Sequence, residues 1–292
     1  MPTALINGAR INYLQVGAAS AVEDLVLVHG LATSLAFWYL PYASVFGGYY
    51  RVTMFDLRGH GRSELTAGGY TPAAQSADLE GLMDHLGIAR AHLVGHSFGG
   101  VVALGLGRRA PRRVASLVLA DTQVAMTRAM PVDGWAHSSL IQALLDHNGI
   151  ELDVDSPNFG HQLLTFVAER LVHDQALPEG LLELMGPSLG THPRRTAKRW
   201  LDLQARAEQE LLADDGLTPD VLRSFDFPVL TMLGGRSRAH ASRSFFSSVW
   251  PHGQMVTIPD AGHFFPSSHA DQVIDACERF WNGLAIQTLV VA

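Results

Sequence analysis

The stretch Gly95-His96-Ser97-Phe98-Gly99-Gly100 decides how this chain is organised. Residues 91–94 (AHLV), directly before it, are typical of a short buried strand, and residues 101–109 place apolar side chains at helical spacing. A Gly-x-Ser-x-Gly pattern between a strand and a helix predicts a sharp turn that projects the Ser97 hydroxyl clear of the backbone. The N-terminal end of the following helix would favour negative charge on a substrate oxygen at the same place. We therefore interpret Ser97 as a nucleophile.

The composition indicates a soluble globular protein with a sizeable core. Of 292 residues, 47% are hydrophobic and 17% are charged, and this length suits one α/β domain with an insertion. A net charge of −7 without a basic stripe argues against nucleic acid as a partner. The single cysteine, Cys277, excludes an internal disulfide and is expected in the core. With no targeting pattern and no apolar run of bilayer-spanning length, we expect a cytoplasmic location and no membrane partner.

Strands and helices alternate along most of the chain. A hairpin around Asn7-Gly8 comes first, followed by predicted strands at 25–28, 50–55, 91–94, 114–120, 228–233 and 254–259. Helices are predicted from Thr71-Pro72 to Gly87, at 101–109 and at 271–284. This alternation predicts an α/β fold with a mostly parallel sheet covered by helices on both faces.

Residues 123–224 have a different character, because they contain no strand-like run. Amphipathic helical patterns occur instead at 135–147, 160–173, 179–186 and 194–213. We expect a core domain formed by residues 1–122 and 225–292, with residues 123–224 inserted as a helical lid.

Several polar or small residues fall just past the predicted strand ends, namely His29, Asp56, Ser97, Asp121, Gly234 and His263. The carboxyl ends of parallel strands lie at one edge of a sheet, where reactive groups gather in such folds. The sequence therefore predicts a single site at this edge.

Over nearly its whole length the chain resembles the α/β-hydrolase superfamily. The matching marks are His29-Gly30, the polar loop 56–63, the stretch 95–100 and Asp260-Ala261-Gly262-His263. The resemblance implies an α/β-hydrolase fold with an eight-stranded, mostly parallel sheet, a helical lid after the sixth strand, and a serine–histidine–acid site. It also implies that Asp56 anchors loops around this site.

Carried over residue by residue, the resemblance makes Ser97 the nucleophile and His263 the base that takes its proton. The backbone N–H groups of Leu31 and Phe98 would form the oxyanion hole. The residues that we expect to contact the substrate are His29, Trp38 and Trp135.

The acid departs from the family pattern. Ser237 occupies the place after the seventh strand where the family usually has an aspartate, and no carboxylate occurs between Asp226 and Asp260. Some branches of the superfamily place their acid at the end of the sixth strand, which here is Asp121. Asp260 is an alternative, and in a third case His263 is held by a carbonyl group, by Ser237 or by water.

The leading hypothesis is an enzyme that hydrolyses a carboxylic ester, lactone or thioester of a largely apolar small molecule through an acyl-Ser97 intermediate. Scattered histidines without metal-ligand spacing, and the lack of a phosphate or dinucleotide fingerprint, predict neither a metal nor another cofactor. Two alternatives stay open. The altered acid could mark an enzyme for cyclisation, elimination or carbon–carbon cleavage with His263 as acid and base, or the chain could bind a small molecule with little turnover.

Overall fold

The computed structural model of the chain describes residues 1–18, 21–130, 138–181 and 192–291, the last seven of them through their backbone alone. Its strands are β1 (Thr3–Ile6), β2 (Ala9–Val16), β3 (Asp24–Val28), β4 (Arg51–Phe55), β5 (Ala91–His96), β6 (Val114–Ala120), β7 (Val229–Gly234) and β8 (Gln254–Ile258). They form one eight-stranded sheet in the order β1-β2-β4-β3-β5-β6-β7-β8. The pairs β1–β2 and β2–β4 are antiparallel, and every pair from β4 through β3 to β8 is parallel. The predicted α/β-hydrolase sheet is thus confirmed.

The helices surround this sheet and also fill the long connection between β6 and β7. In chain order they are α1 (Ala36–Trp38), α2 (Ser44–Phe46), α3 (Pro72–His85), α4 (Phe98–Arg109), α5 (Ala125–Arg128), α6 (Ser138–His147), α7 (Phe159–Val172), α8 (Pro193–Leu211), α9 (Pro219–Arg223), α10 (Arg243–Val249), α11 (Phe265–Ser268) and α12 (Ala270–Val291). Thr71 caps α3 as its sequence predicts, because the Thr71 hydroxyl accepts the Ala74 N–H at 3.2 Å. Most of the predicted helix 179–186 lies outside the described residues.

Alternate residues of β3 enter different apolar clusters, one on each face of the sheet. Val26 and Val28 belong to a cluster with helices α3, α4 and α8, whereas Leu25 and Leu27 belong to a cluster with the N-terminal part of α12. All five residues of β3 are buried, as expected for a parallel strand covered on both faces. Cys277 is fully buried in the second cluster, where the sequence places it.

A third apolar cluster joins the β6–β7 connection to the edge of the sheet where the parallel strands end. It packs residues of α6 and α7 against Phe264, the neighbour of His263. Helices α6 and α7 therefore cover the edge at which the polar residues of the predicted site gather. That residues 123–224 act as a lid stays a prediction.

Candidate active site

Ser97 lies at the turn between β5 and α4 with a backbone conformation that few non-glycine residues adopt. Its φ is 54° and its ψ is −121°. The glycines around it are required by close backbone approach. A Cβ on Gly99 would lie 2.3 Å from the Val28 carbonyl oxygen, and one on Gly95 would lie 2.5 Å from Cα of Gly100. These contacts hold the turn tightly against the sheet and leave the Ser97 side chain at its crest.

A chain of hydrogen bonds links Ser97 to two residues distant in sequence. His263 Nε2 lies 3.0 Å from Ser97 Oγ, and His263 Nδ1 lies 2.6 Å from Asp121 Oδ2. An ionised carboxylate only accepts hydrogen bonds, so Nδ1 carries the hydrogen and the lone pair of Nε2 faces the hydroxyl. This geometry allows His263 to take the proton of Ser97 during attack on a carbonyl.

The Asp121 carboxylate accepts three hydrogen bonds, which hold it in place. The carboxylate is 1% exposed; its Oδ1 accepts the Gly234 N–H at 2.8 Å, and its Oδ2 accepts the Ser237 hydroxyl as well as His263. Ser237 lies just after β7, where the family usually has an aspartate. Its hydroxyl donates to the carboxylate of Asp121 at the end of β6. Asp260 points elsewhere, since it pairs with Arg236 at 2.9 Å and its side chain is 79% exposed. Asp121 is the carboxylate that contacts His263 within the described part of the chain.

The loop after β3 passes directly over Ser97. A Cβ on Gly30 would lie 3.0 Å from Cβ of Ser97, and Ala32, two residues on, has a φ of 55°. Leu31, which follows Gly30, lines the cavity at Ser97, as does Phe98, the first residue of α4. No described residue accepts a hydrogen bond from the backbone N–H of Leu31 or Phe98. Both residues thus line the same cavity as Ser97, and their role as an oxyanion hole stays a prediction.

A cavity of about 170 Å³ opens at these residues. Its apolar wall is supplied by Leu31, Phe98, Val101, Ile141, Phe159, Leu163, Leu164, Leu211, Leu212 and Phe264. Six of these ten residues belong to the connection between β6 and β7, five of them in helices α6, α7 and α8, so this connection forms a large part of the cavity wall.

The expected substrate contact of His29 is corrected by its burial. The ring is fully buried: Nε2 accepts the Leu57 N–H at 3.0 Å, and Nδ1 donates to the Gly30 carbonyl at 2.7 Å. Burial lowers the pKa of His29 to about 4, so the imidazole is neutral. His29 braces the loop that carries Leu31 and does not line the cavity.

Trp38 is also corrected. Its side chain is fully buried between Phe37 and Tyr42, with ring centroids 5.0 and 4.9 Å away, and it packs in the core rather than in the cavity wall. The position of His29 after a strand was correct, but sequence spacing does not give the direction of a side chain. Trp135 lies outside the described residues.

Asp56 connects loops beneath the site. Its Oδ1 accepts the Leu35 N–H at 2.7 Å, and its Oδ2 accepts Asn12 Nδ2 at 2.7 Å and the Arg62 N–H at 2.8 Å. The carboxylate is buried and does not line the cavity at Ser97. Asp56 thus fixes the shape of the loops without contacting Ser97 or His263.

His96 is a residue of the site that the sequence analysis missed. Its Nε2 donates to the backbone carbonyl of His263 at 2.9 Å, and its ring lies between Phe37 (4.7 Å) and the ring of His263 (4.8 Å). Complete burial holds the pKa of His96 well below 6.5, so the ring stays neutral. In the sequence, His96 is marked only by its position between Gly95 and Ser97. That position does not predict a contact with a loop 167 residues away.

Within the described part of the chain, no group of three or more His, Cys, Asp or Glu side chains could hold a metal ion. No described helix is both long enough and apolar enough to cross a bilayer.

The chain is similar to known alpha/beta hydrolases. A model of the alpha/beta hydrolase family matches residues 25–276. The dihydrolipoyllysine-residue acetyltransferase component of the acetoin cleaving system from Pseudomonas putida is 28% identical over 288 residues, covering 92% of this chain and 65% of that protein. The chain thus spans slightly less than two thirds of that relative.

Two other similarities extend over nearly the whole chain. The sn-1-specific diacylglycerol lipase ABHD11 of Mus musculus is 27% identical over 275 residues, covering 92% of this chain and 84% of the lipase. The solved structure of Est816, described as an N-acyl homoserine lactone degrading enzyme, superposes with a TM-score of 0.69 at 23% identity. This match covers 96% of this chain and 100% of Est816, and it indicates a shared fold.

Proposed function

The chain belongs to the alpha/beta hydrolase family, and from that premise we propose that it is a serine hydrolase that cleaves a carboxylic ester, lactone or thioester through an acyl-Ser97 intermediate. The observation that carries the proposal is the continuous hydrogen-bonded chain from Asp121 through His263 to Ser97. A protein that only binds a small molecule needs neither an aligned base nor a buried carboxylate behind it.

In the first half of the proposed reaction, Ser97 Oγ attacks the substrate carbonyl carbon while His263 Nε2 takes the hydroxyl proton. The carbonyl oxygen becomes an oxyanion that accepts hydrogen bonds from the N–H groups of Leu31 and Phe98. The Asp121 carboxylate stabilises the imidazolium that forms. His263 then gives its proton to the departing alcohol or thiol as the bond to the carbonyl carbon breaks, which leaves the acyl group on Ser97.

In the second half, a water molecule takes the place of the leaving group. His263 Nε2 removes a proton from this water, the resulting hydroxide attacks the acyl carbon, and the same proton then returns to Ser97 Oγ as the ester bond breaks. The products are a carboxylic acid and the original alcohol or thiol. In a lactone, the acid and the alcohol remain in one molecule.

The cavity is in line with a substrate whose acyl or alcohol part is largely apolar, because many of the residues that line it together with Ser97 have apolar side chains. The name of the mouse relative, a diacylglycerol lipase, is in line with an ester substrate. The serine at position 97 is not in line with reactions in which this family uses an aspartate nucleophile.

The test is a panel of 4-nitrophenyl butyrate, a γ-lactone and an acyl thioester, assayed with the wild type and with Ser97→Ala. We expect at least one substrate to be hydrolysed, and the variant to lose about 10⁵- to 10⁶-fold in kcat for it. Ser267→Ala is the matched control, since Ser267 is exposed and lies outside the cavity. Hydrolysis that survives in Ser97→Ala would contradict the proposal.

A further inference from the structure

Three arginines interrupt the largely apolar wall of the cavity, namely Arg128, Arg236 and Arg238. Of these, Arg236 pairs with Asp260. Arg128 ends helix α5, seven residues after Asp121, and Arg238 follows Ser237 directly. The backbone carbonyl of Arg128 accepts a hydrogen bond from Arg238 Nη2 at 3.1 Å, so the two residues are neighbours on the side of the cavity that carries Asp121. Because Arg128 and Arg238 both line the cavity, their positive charge lies next to the space that a substrate would fill.

Arg128 has no anionic partner in contact. No described carboxylate lies within 4.0 Å of its guanidinium, and no described residue accepts a hydrogen bond from it. Burial lowers the pKa of Arg128 below its ordinary value, although Asp214 and Asp215 oppose this effect through space. Arg128 is half-buried and lines the cavity, so a carboxylate bound there would form charge-assisted hydrogen bonds with a guanidinium that has no other anionic contact.

The two nearby aspartates are already engaged by backbone groups. Asp215 accepts the Ala125 N–H at 2.6 Å and the Leu217 N–H at 3.0 Å, one on each oxygen. Asp214 accepts the Gly216 N–H at 3.0 Å. Both carboxylates thus stabilise turns next to α5 and attract Arg128 only from a distance.

Arg238 adds charge but few free donors. Its Nε donates to the Val154 carbonyl at 3.1 Å, Nη2 donates to the Arg128 carbonyl, and Nη1 lies 3.4 Å from Gln123 Oε1. These acceptors are all neutral, so its positive charge is not cancelled by contact. Its role would be to hold the end of α5 in place and to raise the positive potential at Arg128.

We propose that Arg128, positioned by Arg238, binds a carboxylate of the substrate, so that the natural substrate is an ester, lactone or thioester with a free carboxylate beyond an apolar segment. This inference rests on the proposed function, because it assigns a substrate class to the same site. The planar guanidinium suits a carboxylate, which accepts two parallel N–H donors. One unengaged guanidinium matches a single negative charge better than a phosphate dianion, which needs more donors.

The experiment uses two matched pairs of esters, one for each side of the scissile bond. The first pair is the mono-4-nitrophenyl ester of suberic acid and its terminal amide. The second is 4-carboxyphenyl butyrate and 4-carbamoylphenyl butyrate. In the wild type we expect kcat/KM to favour the carboxylate about 10- to 100-fold in at least one pair, mainly through KM.

The variant Arg128→Gln should bring this charged-to-neutral ratio close to one, and Arg128→Lys should leave an intermediate ratio because it keeps the charge without the planar fork. Arg112→Gln, at an exposed position before β6, is the matched control and should keep the wild-type ratio. Thermal unfolding of each variant checks that the fold survives. Equal ratios in the wild type and in Arg128→Gln would overturn the inference while leaving ester hydrolysis intact.

A binding measurement separates this inference from the proposed reaction. Calorimetry on the Ser97→Ala protein with the monoamide of suberic acid, which has one carboxylate, and with the diamide, which has none, needs no turnover. We expect the monoamide to bind about tenfold or more tightly than the diamide, and the difference to vanish in the double variant with Arg128→Gln. If no ester is hydrolysed but this difference is found, the proposed function fails and the carboxylate site stands. If the two ligands bind alike, the carboxylate site fails.

Discussion

At the scale of single residues, the main finding is the acid that supports His263. Asp121 contacts Nδ1 at 2.6 Å from the end of β6, while Ser237 stands where the family usually has its acid and donates to the same carboxylate oxygen. The carboxylate thus comes from the strand next to the one that usually carries it, and it contacts Nδ1 of His263. A small change in the backbone position of the acid therefore leaves the hydrogen-bonded chain intact.

Asp121→Asn should lower kcat for ester hydrolysis by about 10³- to 10⁴-fold. The amide cannot stabilise an imidazolium as a carboxylate does, and its NH₂ group favours the wrong tautomer of His263. Steady-state kinetics, with circular dichroism as the check on folding, measure the effect. A kcat within tenfold of the wild type would remove Asp121 from the reaction.

Ser237→Asp should restore about tenfold or more of the lost activity when it is combined with Asp121→Asn. The Ser237 side chain already contacts the oxygen that faces His263, so a carboxylate at this position is within reach of Nδ1. Alone, Ser237→Asp would place two carboxylates in contact in a buried site and would destabilise the protein. A double variant no more active than Asp121→Asn would show that position 237 cannot serve His263.

The sequence could predict only part of this site. Four residues, Ser97, His263, Asp121 and Asp260, could be identified because each follows a predicted strand end. The choice of Asp121 over Asp260 needed three-dimensional positions, because Arg236 pairs with Asp260 and draws it to the surface. His29 was predicted to contact the substrate, but its ring turns inward to accept the Leu57 N–H, and spacing along the chain carries no such direction.

At the scale of elements, the turn between β5 and α4 depends on its glycines more than on helix propensity. Gly99→Ala should destabilise the protein by several kcal/mol, because the new Cβ would lie 2.3 Å from the backbone oxygen of Val28, which cannot rotate away. Gly283→Ala in α12 is the matched control, since a Cβ there meets nothing within 4 Å and should stabilise by up to about 1 kcal/mol. Urea unfolding measures both changes. Similar stabilities of the two variants would contradict the account of the turn.

Element positions were well predicted where a pattern is local. The hairpin turns at Asn7-Gly8 as predicted, and the strand 114–120 has the predicted bounds, because both signals come from residues adjacent in sequence. Helix α4 begins at Phe98 rather than at residue 101, since its glycine-rich first turn has no apolar periodicity. Helix α12 continues to Val291, beyond the predicted end at 284.

At the scale of the whole molecule, buried neutral histidines tie stability to pH. Burial lowers the pKa of His29 to about 4 and of His60 to about 3, and it holds the pKa of His96 well below 6.5. In the unfolded chain these rings titrate near pH 6.5. Between about pH 6.5 and 4 the three histidines therefore bind protons in the unfolded state but not in the folded state. Their contribution to stability is complete above pH 6.5 and is lost as the pH falls.

We therefore expect the free energy of unfolding to decrease below pH 6.5, by up to about 1.4 kcal/mol per pH unit for each of these groups. His60→Gln should reduce the slope of the free energy of unfolding against pH by the amount for one proton, about 1.4 kcal/mol per pH unit. Nδ1 of His60 donates to the Arg58 carbonyl at 3.1 Å, a contact that an amide can also make. Urea unfolding between pH 7.5 and 5 measures the slope. An identical slope in the wild type and the variant would contradict the role of His60.

The global fold was the most predictable level, because alternating strands and helices predict a mostly parallel sheet and the resemblance to the α/β-hydrolase superfamily implies its eight strands. The contacts made by the β6–β7 connection were the least predictable. Arg128 belongs to a short helix with no distinctive pattern, and its position in the cavity wall results from packing between segments distant in sequence.

The central claim is that the hydroxyl of Ser97 is activated for attack by His263, and reaction with a fluorophosphonate tests it most directly. The oxygen of an activated serine displaces fluoride from phosphorus, and mass spectrometry of the digested protein then locates the adduct. We predict one adduct per chain, on Ser97, formed by the folded protein and absent in Ser97→Ala and after heat unfolding. A folded protein that is not labelled, or that carries the adduct on another residue, would contradict the account.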